Sequence, residues 1–184
     1  MHPLLGDPRN RLVPQTAPRS WALPPVSELR VGIGYDAHAL EEGVPLVLGG
    51  VAIDHPRGLA GHSDGDVVAH ALIDAILGAA NLGDIGSLFP SSDEQYQGAS
   101  SLDLLWEAYR EVREAGWELV NADCVLVGEE PRIGDVRDEM GERLAGALGV
   151  DTGRVSVRAT TTDHLGFTGR REGLAAQAVA LLRR

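Results

Sequence analysis

The sequence predicts a single-domain α/β sandwich of the α+β type, a mixed sheet with helices packed on one face. Three observations predict it. Segments that alternate like strands interleave with segments of helical period. The chain has 184 residues, enough for one proper core and little more. No apolar run approaches the roughly 20 residues that a bilayer-spanning helix needs.

The elements follow in order. Met1 to Leu29 holds six of the ten prolines and shows no sustained apolar period, so residues 1–29 read as a flexible leader and residues 30–184 as the domain. The leader lacks a secretory apolar centre. It carries arginines and few acids, as a transit peptide does, but little serine. The expected location is cytoplasmic, with a plastid destination left open. "LRVGIGYDAHAL" alternates as a strand, and "PLVLGGVAID" reads as two short strands about a Gly-Gly turn. A helix starts near Ser63 as N-cap, with Asp64 and Asp66 in its first turn, and runs through "VVAHALIDAILGAA". "GDIGSLFPSSDEQYQGA" is rich in turn formers and reads as a loop. "SSLDLLWEAYREVREAG" is an amphipathic helix closed by Gly116. "WELVNADCVLVGEE" is a strand, "IGDVRDEMGERLAGALG" a helix ending at Gly149, and "RVSVRATTT" a strand. A last helix is expected from about Arg171 to Arg184.

Composition excludes several functions. The net charge is −11 and the pI about 4.9, which argues against a nucleic-acid groove or an anionic membrane as partner. A phosphorylated substrate remains compatible, because a metal or a few arginines reverse the local field. All 16 basic residues are arginine, so lysine Schiff-base and P-loop lysine chemistry are ruled out. Cys124 is the only cysteine, which excludes an intrachain disulfide and a multi-thiolate zinc site. Its strand setting marks a buried, inert thiol.

Two constellations carry chemistry. Asp66, His70 and Asp74 recur at four-residue steps, which on a helix forms one stripe. Capping explains the acids near the helix start, and a lone histidine on an apolar face is ordinarily a core residue. However, "YDAH" places Asp36 and His38 two apart on a strand, so both leave the same face. If the helix packs there, Asp36, His38 and His70 meet. Two imidazoles and a carboxylate form a zinc set with an open fourth position. Asp74, one turn beyond His70, is placed to orient a ligand or handle a proton. The second constellation suits an anion. His62, Ser63 and free N–H groups lie at a helix start. Thr160, Thr161 and Thr162 follow a strand, and Arg170 follows a Gly-containing turn. Asp163 beside them suits a hard divalent ion. Thr-rich strands and turn glycines are also common without a ligand.

Taken together and in this order, "GYDAHAL", "GLAGHSDGDVVAHALIDAILGAANLGDIGSLFP" and "RATTTDHLGFTGRREGLAAQAVALL" closely resemble the 2-C-methyl-D-erythritol 2,4-cyclodiphosphate synthase family. The resemblance covers about Arg30 to the C-terminus. It implies conversion of 4-diphosphocytidyl-2-C-methyl-D-erythritol 2-phosphate into the cyclic diphosphate with release of CMP, in the non-mevalonate isoprenoid pathway. It implies a homotrimer with active sites between subunits, zinc, and a second ion, Mg²⁺ or Mn²⁺. Asp36, His38 and His70 match the zinc ligands. His62 and Ser63 match residues at the phosphates, and His62 and Thr161 match positions that stabilise the transition state. Asp84, Ile85 and Gly86 match the loop that receives the methylerythritol part. Phe89, Pro90, Ser91, Ser92 and Asp93 continue that wall. Gly128, Glu129, Glu130, Pro131, Arg132, Ile133 and Gly134 match the segment that holds cytidine largely through backbone groups. Thr160, Thr161, Thr162, Asp163, Phe167 and Arg170 complete the phosphate end and the trimer's central channel, where an isoprenoid diphosphate is a further expected ligand. Three positions depart from the pattern. Asp163 stands where glutamate is usual, Ser91 where aspartate is common, and "GEEPRIG" is more acidic than the usual cytidine loop. The competing readings are a zinc phosphoesterase, which would release inorganic phosphate, and a non-catalytic nucleotide- or isoprenoid-binding trimer.

Overall fold

The computed structural model describes residues 28–184, and the leader expected over residues 1–29 lies almost wholly outside them. Seven strands and five helices follow one another: β1 (Leu29–Glu42), β2 (Leu46–Leu48), β3 (Val51–Ile53), β4 (Arg57–Leu59), α1 (Val67–Ala80), α2 (Ile85–Leu88), α3 (Ser101–Glu114), β5 (Glu118–Val127), α4 (Arg137–Leu148), β6 (Val155–Thr160), α5 (Gly166–Gly169) and β7 (Gly173–Arg183). The main sheet has the order β4-β1-β7-β5-β6, and β2–β3 is a separate hairpin. Only β5 and β6 are parallel; the other neighbours are antiparallel. The sheet is therefore mixed. Helix α1 lies over β1 and β7, α4 lies over β6, and α3 packs against both helices.

Helix α1 is nearly all apolar because it sits between the sheet and α3, with only Asp74 and Gly78 outside the buried set. Its approach to β1 is unusually close. A Cβ added to Gly34 would stand 1.9 Å from the Ala71 carbonyl oxygen, and one at Gly32 2.0 Å from that of Ala75. Hence glycine on the strand faces alanine on the helix. The same contact sets the register. Two strand residues span about 7 Å, and four helix residues about 6 Å. Stepping from Gly32 to Gly34 on β1 thus matches stepping back from Ala75 to Ala71 on α1, and the chain on either side of that contact carries Asp36 and His70.

The expected last helix is the central strand β7, paired with β1 from Gly173 to Arg183 and with β5 from Ala175 to Arg183. Leu174, Ala176, Ala178, Ala180 and Leu182 face the helices, while Gln177 and Val179 face outward. Alanine suits helix by propensity, but here the close helix layer demands small side chains, and long-range pairing overrides propensity. Arg170 accordingly closes the short α5 rather than opening a helix. The N-cap of α1 is Asp66 rather than Ser63. Its carboxylate accepts from Val68 and Ala69 N–H at 3.1 Å, and from the Gly49 and Gly50 N–H groups at 2.9 and 2.6 Å. The supposed loop after α1 contains α2 and a 3-10 turn at Glu94–Tyr96. Cys124 is fully buried, and burial pushes its thiol up to about 12, so it is inert as expected.

Candidate metal centre and cleft

Asp36 and His38 leave the inner face of β1, and His70 leaves α1 toward them. Asp36 Oδ2 lies 2.8 Å from His38 Nε2 and 2.9 Å from His70 Nδ1, and the two nitrogens are 3.2 Å apart. The three donor atoms lie within 4.8 Å of one another. The strand-plus-helix convergence expected from spacing is present.

The far nitrogen of each ring shows what the near one can do. His38 Nδ1 hydrogen-bonds the Ala60 carbonyl, so it carries the proton and leaves Nε2 as a lone pair. Ser101 Oγ donates to Asp64 Oδ1. Its oxygen therefore accepts, at 2.9 Å, from His70 Nε2–H, which leaves His70 Nδ1 as a lone pair. Ser63 Oγ stands 3.0 Å from the same nitrogen. With both rings neutral, two lone pairs and a carboxylate thus converge. That donor set fits a divalent borderline cation such as Zn²⁺, and the outer partners Ala60, Ser101 and Asp64 fix the tautomers that ligation requires. Without a cation, burial raises the Asp36 carboxyl, but the hydrogen bonds of His38 and His70 outweigh it and hold it well below the usual range. The hydrogen bond to Asp36 in turn raises His38 against burial.

The centre opens on a cleft of about 430 Å³, lined by Asp36, His38, His62, Ser63, His70, Ile85, Gly86, Phe89, Pro90, Ser91, Ser92, Tyr96 and Leu104. His62 Nε2 donates to the Asp93 carbonyl at 3.2 Å, which ties the loop of His62 to the wall. Phe89 packs edge-on against Tyr96, with ring centroids 5.2 Å apart. Asp84 caps α2 through Ser87 N–H at 2.7 Å and does not line the cleft. The hydrogen bond made by Asp74 runs to the Ile85 N–H at 2.8 Å, so it sets the start of α2, and burial raises its carboxyl. Asp64, read as a capping acid, instead holds Ser101 through its N–H at 3.0 Å and its hydroxyl.

The remaining expected residues form a second group outside this cleft. Gly128 N–H donates to the Thr160 carbonyl at 3.0 Å. Glu129 Oε1 accepts from the Thr162 and His164 N–H groups at 3.3 and 3.1 Å. Thr161 Oγ1 accepts weakly from Asp163 N–H at 3.4 Å. Asp163, at φ +50°, belongs to no three-donor cluster among the described residues. Phe167 is 36% exposed, and Arg170 is paired at 2.9 Å with both oxygens of Glu172. Spacing missed Ser101, Tyr96, Leu104 and Arg57. Ser101 lies 31 residues from His70 and reads locally as a helix start; no short-range signal marks it.

An α/β sandwich whose β1 and α1 present a two-histidine, one-carboxylate set to an open cleft has a candidate metal site with room beside it for a small-molecule ligand. The comparisons narrow that class. The model of the YgbB family matches residues 29–183, and the chain belongs to this family. It is 58% identical over 154 residues to a 2-C-methyl-D-erythritol 2,4-cyclodiphosphate synthase of Moorella thermoacetica, covering 84% of this chain and 94% of that one. Among solved structures, a 2-C-methyl-D-erythritol-2,4-cyclodiphosphate synthase in a CDP-bound form superposes with TM-score 0.76 at 40% identity, covering 83% of this chain and 99% of that one. The bifunctional IspDF of Campylobacter jejuni superposes with TM-score 0.83 at 46% identity over 86% of this chain, which spans only 43% of that larger protein.

Proposed function

We propose that this chain is a phosphorus–oxygen lyase of isoprenoid biosynthesis. It converts 4-diphosphocytidyl-2-C-methyl-D-erythritol 2-phosphate into 2-C-methyl-D-erythritol 2,4-cyclodiphosphate and releases CMP. The single observation that carries the reading is the match of the whole described domain to synthases of that name, with the donor triad at the cleft. The 2-phosphate oxygen forms a bond to the β-phosphorus, and the bond from that phosphorus to the bridging oxygen breaks, so the α-phosphate leaves as part of CMP. No enzyme nucleophile is needed, which agrees with an inert Cys124.

The chain's residues then act by position and charge. Asp36, His38 and His70 hold zinc, and Asp163 takes part in holding Mg²⁺ or Mn²⁺. When bound, these ions supply neutralisation of the diphosphate charge. His62 and Thr161 hydrogen-bond phosphate oxygens as the geometry changes. Ile85, Gly86, Phe89, Pro90, Ser91 and Ser92 receive the methylerythritol part and shield it from water, with Asp74 setting that wall. The segment Gly128–Gly134 takes cytidine.

A homotrimer with sites between neighbours completes the reading. Two observations support it. Thr161, Asp163 and the cytidine segment do not line the cleft of their own chain. The outer sheet face leaves Val31, Ile33, Tyr35 and Val179 between 44% and 69% exposed, an apolar strip that a second copy would cover. Phe167 and Arg170 near an axis would meet an isoprenoid diphosphate, for which Arg170 keeps its Nη1 donors while Nε and Nη2 hold Glu172. A cytoplasmic location goes with the reading. The test is incubation of the purified, zinc-loaded protein with the cytidyl substrate, with and without chelator. CMP formed without inorganic phosphate, and only when metal is retained, is the expected result. Inorganic phosphate as the product points to the phosphoesterase instead, and no turnover points to the binding protein.

A further inference from the structure

The acidic pair Glu129–Glu130, which makes the cytidine segment unlike its family pattern, has a structural use. The two carboxylates point to different parts of the chain. Glu129 holds the Thr162–His164 turn through two backbone N–H groups. Glu130 faces two arginines and a histidine. Its Oε1 lies 2.8 Å from Arg57 Nη2 and 3.7 Å from His55 Nε2, and its Oε2 lies 3.6 Å from Arg171 Nη1. Arg57 also donates through Nη1 to the Arg171 carbonyl at 2.9 Å. One guanidinium therefore grips both the cytidine segment and the turn that enters β7.

We propose that Arg57 and Glu130 are a positioning pair that sets the backbone of the nucleotide-binding segment relative to β4. The inference rests on the function proposed above. The segment is anchored at its ends by Gly128, bonded to Thr160, and by Ile133, which is buried. Between those anchors the side chains of Glu129 and Glu130 supply its hold. Arg57 lies in β4 opposite Glu42 of β1, and β4 runs straight into Ala60, whose carbonyl holds His38. The brace thus fixes the nucleotide segment to the same strand that sets a zinc ligand. An isolated surface ion pair contributes little, but here several charges share one half-buried network with a forked guanidinium. Because the carboxylates are engaged with the chain, the segment is left to offer a nucleotide its backbone groups.

The experiment compares Arg57→Ala, Glu130→Gln, their double variant and Arg57→Lys with the wild type, all zinc-loaded. Binding of CDP is measured by calorimetry, zinc per chain by metal analysis, and KM and kcat by CMP release. Each single loss should weaken CDP roughly fivefold. The double variant should be no worse than the stronger single, Arg57→Lys should recover part of the affinity, and zinc should stay at the wild-type level. KM should rise by more than kcat falls, because the cytidine part is remote from the attacking oxygen. CDP affinity within twofold of wild type in both single variants overturns the proposal. So do additive losses in the double variant, which would mean the two residues act separately, or zinc loss in step with CDP loss, which would mean general damage. A wild type that neither binds CDP nor releases CMP removes the functional reading as well, whereas an active wild type with unaffected variants removes the pair alone.

Discussion

Asp36, His38 and His70 stand on the longest strand and the most deeply buried helix of the fold, whereas Gly128–Gly134 and Thr161–Asp163 stand on connections. The donor atoms of the first region are fixed by ladder pairing, by glycine-to-helix contact and by tautomer-setting hydrogen bonds. The second region is fixed by side-chain contacts across the chain, Glu129 with Thr162 and Glu130 with Arg57 of β4. A metal ligand set tolerates errors of a few tenths of an ångström, so it belongs on regular elements. A phosphate or base that changes geometry during the reaction is better met by loops. If this contrast is right, changes in the first region abolish metal and activity together, and changes in the second separate them.

The largest effect is expected for His70→Ala. It removes one of three donors and leaves the Ser101–Asp64 pair without its ring partner. Zinc per chain should drop to near zero by metal analysis, and turnover by about 10³-fold or more. Full zinc in this variant would break the contrast. Gly34→Ala comes next, although Gly34 supplies no donor itself. Its Cβ would meet backbone, not a movable side chain, so α1 must shift off β1. Thermal unfolding should show destabilisation of about 1–3 kcal/mol, and zinc should bind more weakly because the shift moves His70 away from Asp36. Ser101→Ala tests the outer partner alone. Zinc affinity should fall about 10- to 100-fold in competition with a chelator, with the fold retained.

Asp163→Asn is expected to be milder and different in kind. Asparagine tolerates the positive φ at this position, so the backbone should persist. Zinc should stay bound, while the Mg²⁺ or Mn²⁺ concentration needed for half-maximal CMP release rises about tenfold. An unchanged metal titration would remove Asp163 from the second ion.

The contrast also explains what the sequence made legible. The metal centre was readable because its geometry is periodic: Asp-x-His on a strand puts two donors on one face, and a helix register puts His70 opposite. The nature of β7 was not readable, because its inward alanines alternate with the mostly apolar Ala175, Gln177, Val179 and Leu181, which leaves a weak period-2 signal until the close approach of α1 is known. Ser63 looked like the cap because serine is a good one, yet Asp66 is preferred where it also meets the Gly49–Gly50 turn 16–17 residues away. Arg57 and Ser101 carry no local signal, since each acts through a contact 31 to 114 residues distant. The short strand β4, which sets Ala60 against His38, is three residues long, too short to show an alternation, and is defined by its pairing with β1.

The smallest effect, and the sharpest test of the tautomer argument, is the pH dependence of zinc binding. In the metal-free chain the hydrogen bond to Asp36 raises His38 above 6.5, against burial. At pH 6.5 more than half of that chain therefore carries a proton on the His38 nitrogen that zinc must take. Binding there releases that proton, and affinity should be at least about twofold lower than at pH 8. Stability of the metal-free chain should move the other way. A raised His38 contributes stability that is full below about 6.5, its unfolded value, and is lost as pH rises through the folded value. Asp36, held low, contributes above the ordinary carboxylate range and loses its effect only as pH falls through its depressed folded value. The gap in melting temperature between zinc-loaded and metal-free protein should thus widen from pH 6 to pH 8. Calorimetry in buffers of different ionisation enthalpy should find more protons released on zinc binding at the lower pH. A gap that narrows with rising pH would mean that His38 does not present an unprotonated Nε2 to the metal.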